Sequence, residues 1–294
     1  MRVDLHAHTV ASDGLLSPAA LVDLALDRGL AALAVTDHDS TEGVAEAIAA
    51  AEGRGLTVVP GVEMSSDLDE GECHVLGYFV EYGPGAFQDT LRQLRTGRVS
   101  RARLMVERLA DAGAPISWER VDRIAGDGAV ARPHVAQALV EAGHAWSVAD
   151  AFDRWIGAGR PGYVPRAKLT PPDAVGTIVR AGGVAAIAHP VLGAALLPGP
   201  ERERALAGVE RRIEELGPAG LGGVEVYYTG YDPSLVARLE RLAARFGLIP
   251  TGGSDFHGPG RGHGELGSVP IPEHAARRVV DQLRSAAGRQ RAGA

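Results

Sequence analysis

Cys73 is the only cysteine in this 294-residue chain, so no internal disulfide can form and nothing points to an oxidising compartment. No apolar run approaches the roughly 18 to 20 residues that a membrane-spanning helix needs. Basic charge is in deficit as well: 30 Lys and Arg stand against 37 Asp and Glu, a formal net charge of -7. That balance lacks the basic footprint of a general nucleic-acid binder, and no stable nucleic-acid complex is expected. A phosphorylated small molecule is not excluded, because bound cations reverse the local field. The N-terminus shows no basic n-region leading into an apolar h-region, so a cleaved signal is not expected and the chain reads as cytoplasmic. No internal repeat is found, and no G-x-G-x-x-G follows the first strand candidate, which counts against an open dinucleotide-binding sheet.

What the chain does have is histidine at the ends of short apolar runs. Val3-Asp4-Leu5 leads into His6-Ala7-His8, and alternate residues of an extended segment face the same way, so both rings can reach one point. Neutral imidazole is the commonest protein ligand for a borderline metal ion. The pattern recurs in Thr36-Asp37-His38-Asp39, Gly61-Val62-Glu63, Cys73-His74, Arg132-Pro133-His134, Ala188-His189-Pro190 and Ser254-Asp255-Phe256-His257. Most of these close a strand candidate, which predicts one metal site assembled from many strand ends.

Hydrophobic residues make up 45% of the chain, enough to fill one large domain or one domain with an insertion. Strand signals at Val3 to Leu5, Ala31 to Val35, Thr57 to Val62, Val184 to Ala188, Val224 to Tyr228 and Leu248 to Thr251 alternate with helical stripes. Ser17-Pro18 reads as an N-cap with a first-turn proline, and Gly29 as the end of that helix. His74 to Val80 reads as a further extended segment, in a hairpin or at an edge. Repeated strand–helix units imply right-handed parallel crossovers. Ligands in such architectures gather at the strands' C-terminal ends, and a barrel suits ligands that arrive from so many strands. Between residues 87 and 158 helix formers dominate, which predicts a helical insertion capping the mouth of a barrel formed by residues 1–86 and 159–285. The Gly- and Ala-rich residues 286–294 read as a flexible tail.

Asp4-Leu5-His6-Ala7-His8, Asp13-Gly14, Thr36-Asp37-His38-Asp39, Gly61-Val62-Glu63, His74, Arg132-Pro133-His134, Ala188-His189-Pro190 and Gly253-Ser254-Asp255-Phe256-His257-Gly258 together resemble the PHP (polymerase and histidinol phosphatase) family. The resemblance runs in order over nearly the whole chain. It implies an α/β fold, a distorted seven-stranded β/α barrel, holding two or three divalent ions for phosphoester hydrolysis, with manganese favoured and zinc or iron as alternatives. Carried over by position, a first ion takes His6, His8, Glu63 and Asp255. A second shares Glu63 and takes His74 and His134. A third takes Asp13, His38 and His257. Many members place a histidine where this chain has Asp13, and a carboxylate there favours harder ions such as manganese.

The resemblance further implies a hydroxide shared by two ions that attacks phosphorus. Arg132 is a candidate for bidentate phosphate contact, and Arg166 and Lys168 for a second phosphate or the leaving group. His189 is a candidate general acid or phosphate contact. Tyr228 is a candidate for stacking on a base. Within the family the pattern looks most like enzymes acting on nucleotides, with the 3'-phosphate of nucleoside 3',5'-bisphosphates as the expected target. Cyclic phosphodiesters, histidinol phosphate and short RNA degraded from the 5' end are the alternatives, and a non-catalytic metal-stabilised module is the reading from another class.

Bland readings stand beside these. Asp13 also suits a turn before Gly14. Arg132 also suits a surface or helix-capping arginine, Arg166 and Lys168 ordinary solvated charges, His189 a structural imidazole, and Tyr228 simple packing. His144, His263 and His274 read as surface residues, and Cys73 as a core thiol. Oligomeric state is not written in the sequence.

Overall fold

A computed structural model describes residues 1–68, 72–126, 130–165, 169–192, 199–261 and 264–292. Seven strands, β1 (Val3–Asp4), β2 (Ala32–Val35), β3 (Thr57–Asp67), β4 (Glu72–Tyr78), β5 (Val184–Ile187), β6 (Leu221–Tyr228) and β7 (Ile249–Gly253), line up in sequence order in one sheet. The two outer strands meet: Leu5 N–H donates to Gly252 O at 3.1 Å, and Ala7 bridges Phe256 in parallel. The sheet therefore closes into the distorted seven-stranded barrel that the sequence implied.

All pairings are parallel except those of β4, which runs antiparallel to both β3 and β5. A strand joined to its predecessor by a tight hairpin has to run back. The expected hairpin is present, but β4 is paired on both sides and is not an edge. Its reversal puts its first residues at the rim where the other strands end, so His74 reaches that rim from the start of its strand.

Register follows the pleat. Ala32 and Ala34 of β2 share a buried cluster with Val3, Leu5 and Val59, while Leu33 and Val35 pack outward against α1 (Pro18–Asp27) and α2 (Val44–Ala51). With a period of two, the inner face of β3 continues from Val59 through Gly61 to Glu63. Helices α7 (Pro171–Arg180), α8 (Pro200–Leu216) and α9 (Pro233–Phe246) cover the outer faces of β5 and β6 through a second cluster. Local signals fix where several of these begin. Ser17, Thr170 and Asp232 each cap a helix whose first residue is proline.

The last helix, α10 (Glu273–Ala292), buries Ala276, Val279, Val280, Leu283 and Ala287 against Val3, Ala32, Val184 and Tyr78. The first three of those are the opening residues of their parallel strands, and Tyr78 closes the reversed one. α10 therefore lies across the end of the barrel away from the strand C-termini. Residues 286–292 belong to this helix and not to a flexible tail, because Ala287 lies on its buried stripe.

Between β4 and α7 the described residues hold no strand. They form α3 (Ala86–Asp111), α4 (Trp118–Ala125), α5 (Arg132–Glu141) and α6 (Val148–Ala151), which runs into a π-turn at Phe152–Ile156. Met105, Leu109, Val121, Val135, Leu139 and Ile156 give this segment a buried cluster of its own. No helix among the described residues is long and apolar enough to cross a membrane.

Candidate metal centre

His6 follows β1, and Asp255 follows β7 after Gly253 and Ser254. Their approach depends on Gly253, where a Cβ would stand 2.4 Å from both Cβ and N of His6. Asp4 stitches the same junction, accepting from Ser254 N–H at 2.9 Å, Ser254 Oγ at 2.6 Å and Gly267 N–H at 2.7 Å. Asp37 does the equivalent for the loop after His8, accepting from Thr9 N–H, Thr9 Oγ1 and Ser12 Oγ, each at 2.7 Å. The donors offset only part of the cost of burial, which still pushes both carboxyls up, but they hold the backbone firmly.

Four groups converge at this junction. Nε2 of His6 and Nε2 of His8 each lie 3.2 Å from both Glu63 Oε2 and Asp255 Oδ1. The other oxygen of Glu63 faces a separate set, with His74 Nδ1 at 3.0 Å and His189 Nε2 at 3.1 Å. Asp13 meets His257 Nε2 at 3.3 Å and His38 Nε2 at 3.9 Å, and His38 Nδ1 reaches back to Glu63 Oε2 at 3.3 Å. Ligand atoms within 4.8 Å of one another thus form three overlapping groups: His6, His8, Glu63 and Asp255; His38, Glu63 and His74; and His8, Asp13, His38 and His257.

The donor set fits cations better than it fits itself. His6 Nε2, His8 Nε2, His38 Nδ1 and His74 Nδ1 are buried, turned toward carboxylate oxygens, yet make no hydrogen bond. Such edges converge on a shared centre instead of pairing. The titration of the side chains agrees. Burial opposes charge on His8, but the Asp255 and Glu63 carboxylates overcome it and push the imidazole up to about 10. His74 is likewise lifted against burial to about 9 by Glu63. At His38 burial prevails over Glu63 and Asp13, and the ring is pushed down to about 3. Burial also opposes the charge of Glu63, but the surrounding imidazoles hold it well below the usual carboxylate range. The pocket demands positive charge and recruits protons where no cation supplies it.

Of four non-glycine residues with positive φ among the described residues, Phe79 follows β4 at the far end of the barrel and the other three sit at this rim. Asp39, His189 and Asp255 all adopt positive φ, at 47°, 25° and 55°, in a chain where glycine takes most such positions. Asp255 is held there by the Tyr228 hydroxyl, which donates to its Oδ2 at 2.9 Å.

Several sequence expectations change place. His134 is buried but belongs to none of the three groups found among the described residues. It stands in the first turn of α5, and its Nδ1 accepts from the Ala131 N–H at 3.0 Å, so the ring turns back to cap its own helix. His189, expected as a general acid or phosphate contact, also belongs to none of those three groups; its Nε2 stands 3.1 Å from Glu63 Oε1, with its ring beside that of His74. Tyr228 does not offer a face to a base. It is buried between His189 and Tyr231, with ring centroids 5.6 Å and 5.3 Å away, and its hydroxyl serves Asp255. Arg132 faces a cavity of about 240 Å³ that runs from Asp13, His38 and His74 to Arg101 and Phe152 of the helical segment. Arg166 and Lys168 lie outside the described residues.

One functional residue escaped the sequence reading. Glu225, fully buried on β6, places Oε1 3.2 Å from His6 Nδ1 and accepts the His189 N–H on Oε2 at 2.6 Å. It fixes which edge of His6 faces the centre and where the residue after β5 turns. Its signal was a lone carboxylate between Val224 and Val226 in an apolar strand.

Known proteins resemble this chain in sequence and in fold. The PHP domain family matches residues 4–110. Over 266 residues the chain is 36% identical to the 3',5'-nucleoside bisphosphate phosphatase of Chromobacterium violaceum, covering 90% of each. It is also 36% identical over 258 residues to the 5'-3' exoribonuclease Rnm of Salmonella typhimurium, covering 87% of this chain and 85% of that one. The solved structure of an amidohydrolase from Chromobacterium violaceum, with bound sulfate and no metal, matches with a TM-score of 0.82 at 34% identity over 97% of both chains. The chain belongs to the PHP family.

Proposed function

We propose that this phosphoric ester hydrolase removes the 3'-phosphate of nucleoside 3',5'-bisphosphates in the cytoplasm, using two or three divalent ions, manganese by preference. The observation that carries the reading is Glu63, whose two oxygens face two different sets of imidazoles. A buried carboxylate placed so would offer one oxygen to each of two neighbouring cations.

In this reading His6, His8, Glu63 and Asp255 would hold the first ion, and Glu63 and His74 would hold the second with His134, as the family resemblance assigns it, or with His189, whose Nε2 stands 3.1 Å from Glu63 Oε1. Asp13, His38 and His257 hold the third. Divalent ions bound there would supply an activated water at neutral pH and would offset the charge that builds on phosphorus. The chain's own residues do the rest. Glu225 and Tyr228 orient ligands, Arg132 pairs with the phosphate across the cavity, and the helical segment 87–158 acts as the cap that limits the site to small substrates.

The test is phosphate release from adenosine 3',5'-bisphosphate by purified protein supplied with manganese, with and without chelator. Chelation should abolish turnover, and a rate untouched by chelation would overturn the metal-dependent reading. Similarity to a 5'-3' exoribonuclease at the same identity favours a second reading, stepwise attack on short 5'-phosphorylated RNA. Release of mononucleotides from such RNA, at rates matching or exceeding those on the bisphosphate, would decide for it.

A further inference from the structure

Glu72 opens β4 and lines the cavity with His74 and Arg132, yet it belongs to none of the ligand groups found among the described residues. Its Oε2 lies 3.0 Å from Arg132 Nη2 and 3.7 Å from His74 Nε2. Arg132 begins α5, on the helical side of the cavity, and its guanidinium carbon stands 5.3 Å over the Phe152 ring. The guanidinium is thus held on a face by Phe152 and at one edge by Glu72. A single Nη contact engages part of a five-donor fork, and the rest can serve an anion. A long side chain fixed beforehand also gives up less rotamer freedom when an anion binds.

We propose that Glu72 is a positioning residue: its carboxylate ties Arg132 of the helical segment to the barrel rim, so that the guanidinium faces a phosphate held beside His74. The inference rests on the phosphoesterase reading above. It assigns no ligand role to Glu72, whose effect passes through Arg132.

A double-mutant cycle tests this with Glu72→Gln, Arg132→Gln and the pair, each loaded with manganese. Each single change should raise KM for adenosine 3',5'-bisphosphate by about tenfold, a larger effect than on kcat, and the pair should be no worse than Arg132→Gln alone. Inorganic phosphate binding, followed by calorimetry on the same proteins, should weaken in step. A Glu72→Gln enzyme with unchanged or lower KM overturns the proposal, as does an effect that multiplies fully in the Arg132→Gln background. If the bisphosphate is not hydrolysed at all but phosphate binding shows the same coupling, the substrate assignment fails and the role of Glu72 stands.

Discussion

Glu63 and Glu225 are both fully buried acids, and their neighbours separate their tasks. Glu63 presents its oxygens to the nitrogens that face the centre, whereas Glu225 takes the far edge of His6 and the backbone of His189. A partner on the far nitrogen fixes the tautomer and raises the basicity of the near one. Glu225→Gln should therefore keep the fold but weaken manganese binding by about 10- to 100-fold. Titrating chelated protein with manganese measures this, and an unchanged affinity would show that His6 is oriented by other contacts. At this scale the sequence was legible wherever a histidine or acid closed an apolar run. It was less telling at His134 and His189, because both lie beside a proline at the end or start of an element and only their packing shows that one ring turns Nδ1 to its own helix start and the other turns Nε2 to Glu63.

The elements explain why ligands from opposite strand directions still meet. β1, β5 and β7 deliver His6, His189 and Asp255 just past their C-terminal ends, while β4 delivers His74 near its start. The alternation of strands and helices predicted the barrel, and the short connection after β3 offered β4 as its hairpin partner, but a hydrophobic pattern does not name a strand's second neighbour, so the antiparallel pairing of β4 with β5 was not visible in it. Composition misjudged α10 in the same way, since Ala and Gly in its last turns look frayed until the barrel end is there to receive them. Leu283 is fully buried in that contact. Leu283→Ala should cost about 2–5 kcal/mol of unfolding free energy by opening a void beneath Val3 and Tyr78. Denaturant unfolding reads this out, and a loss below about 1 kcal/mol would mean that α10 docks only loosely.

In the whole molecule, acids and imidazoles are buried together at one end of the barrel and must be neutralised by protons or by cations. His8 and His74, held at about 10 and about 9, carry protons at neutral pH when no cation is bound. Their folded values exceed the ordinary imidazole value, so their contribution to stability is complete below about 6.5 and is lost as pH rises through 9 and 10. Glu63 and Asp13 are held well below the carboxylate range, so their contribution is present at neutral pH and is lost only in strong acid. Cations displace the imidazole protons. Manganese should therefore release protons on binding at pH 7.5, and the rise in Tm that it confers should be larger at pH 9 than at pH 6. Thermal unfolding with manganese or chelator at both pH values checks this, and an equal or smaller rise at pH 9 would count against shared burial as the origin of the charge balance.

The amino-acid order alone determined the chemistry and its general frame: imidazoles and carboxylates closing apolar runs, strands alternating with helices, and a helix-rich stretch between them. Those follow from residue type and from periods of two and 3.6, which are local properties. Folding in three dimensions decided which nitrogen faces which oxygen, that Glu63 serves two sets, and that Glu225, Tyr228 and Glu72 stand behind the groups that face the centre. Such relations join residues on different elements, as far apart as the 219 positions between His6 and Glu225, and they are set by strand register, pairing and barrel closure, none of which a local pattern contains.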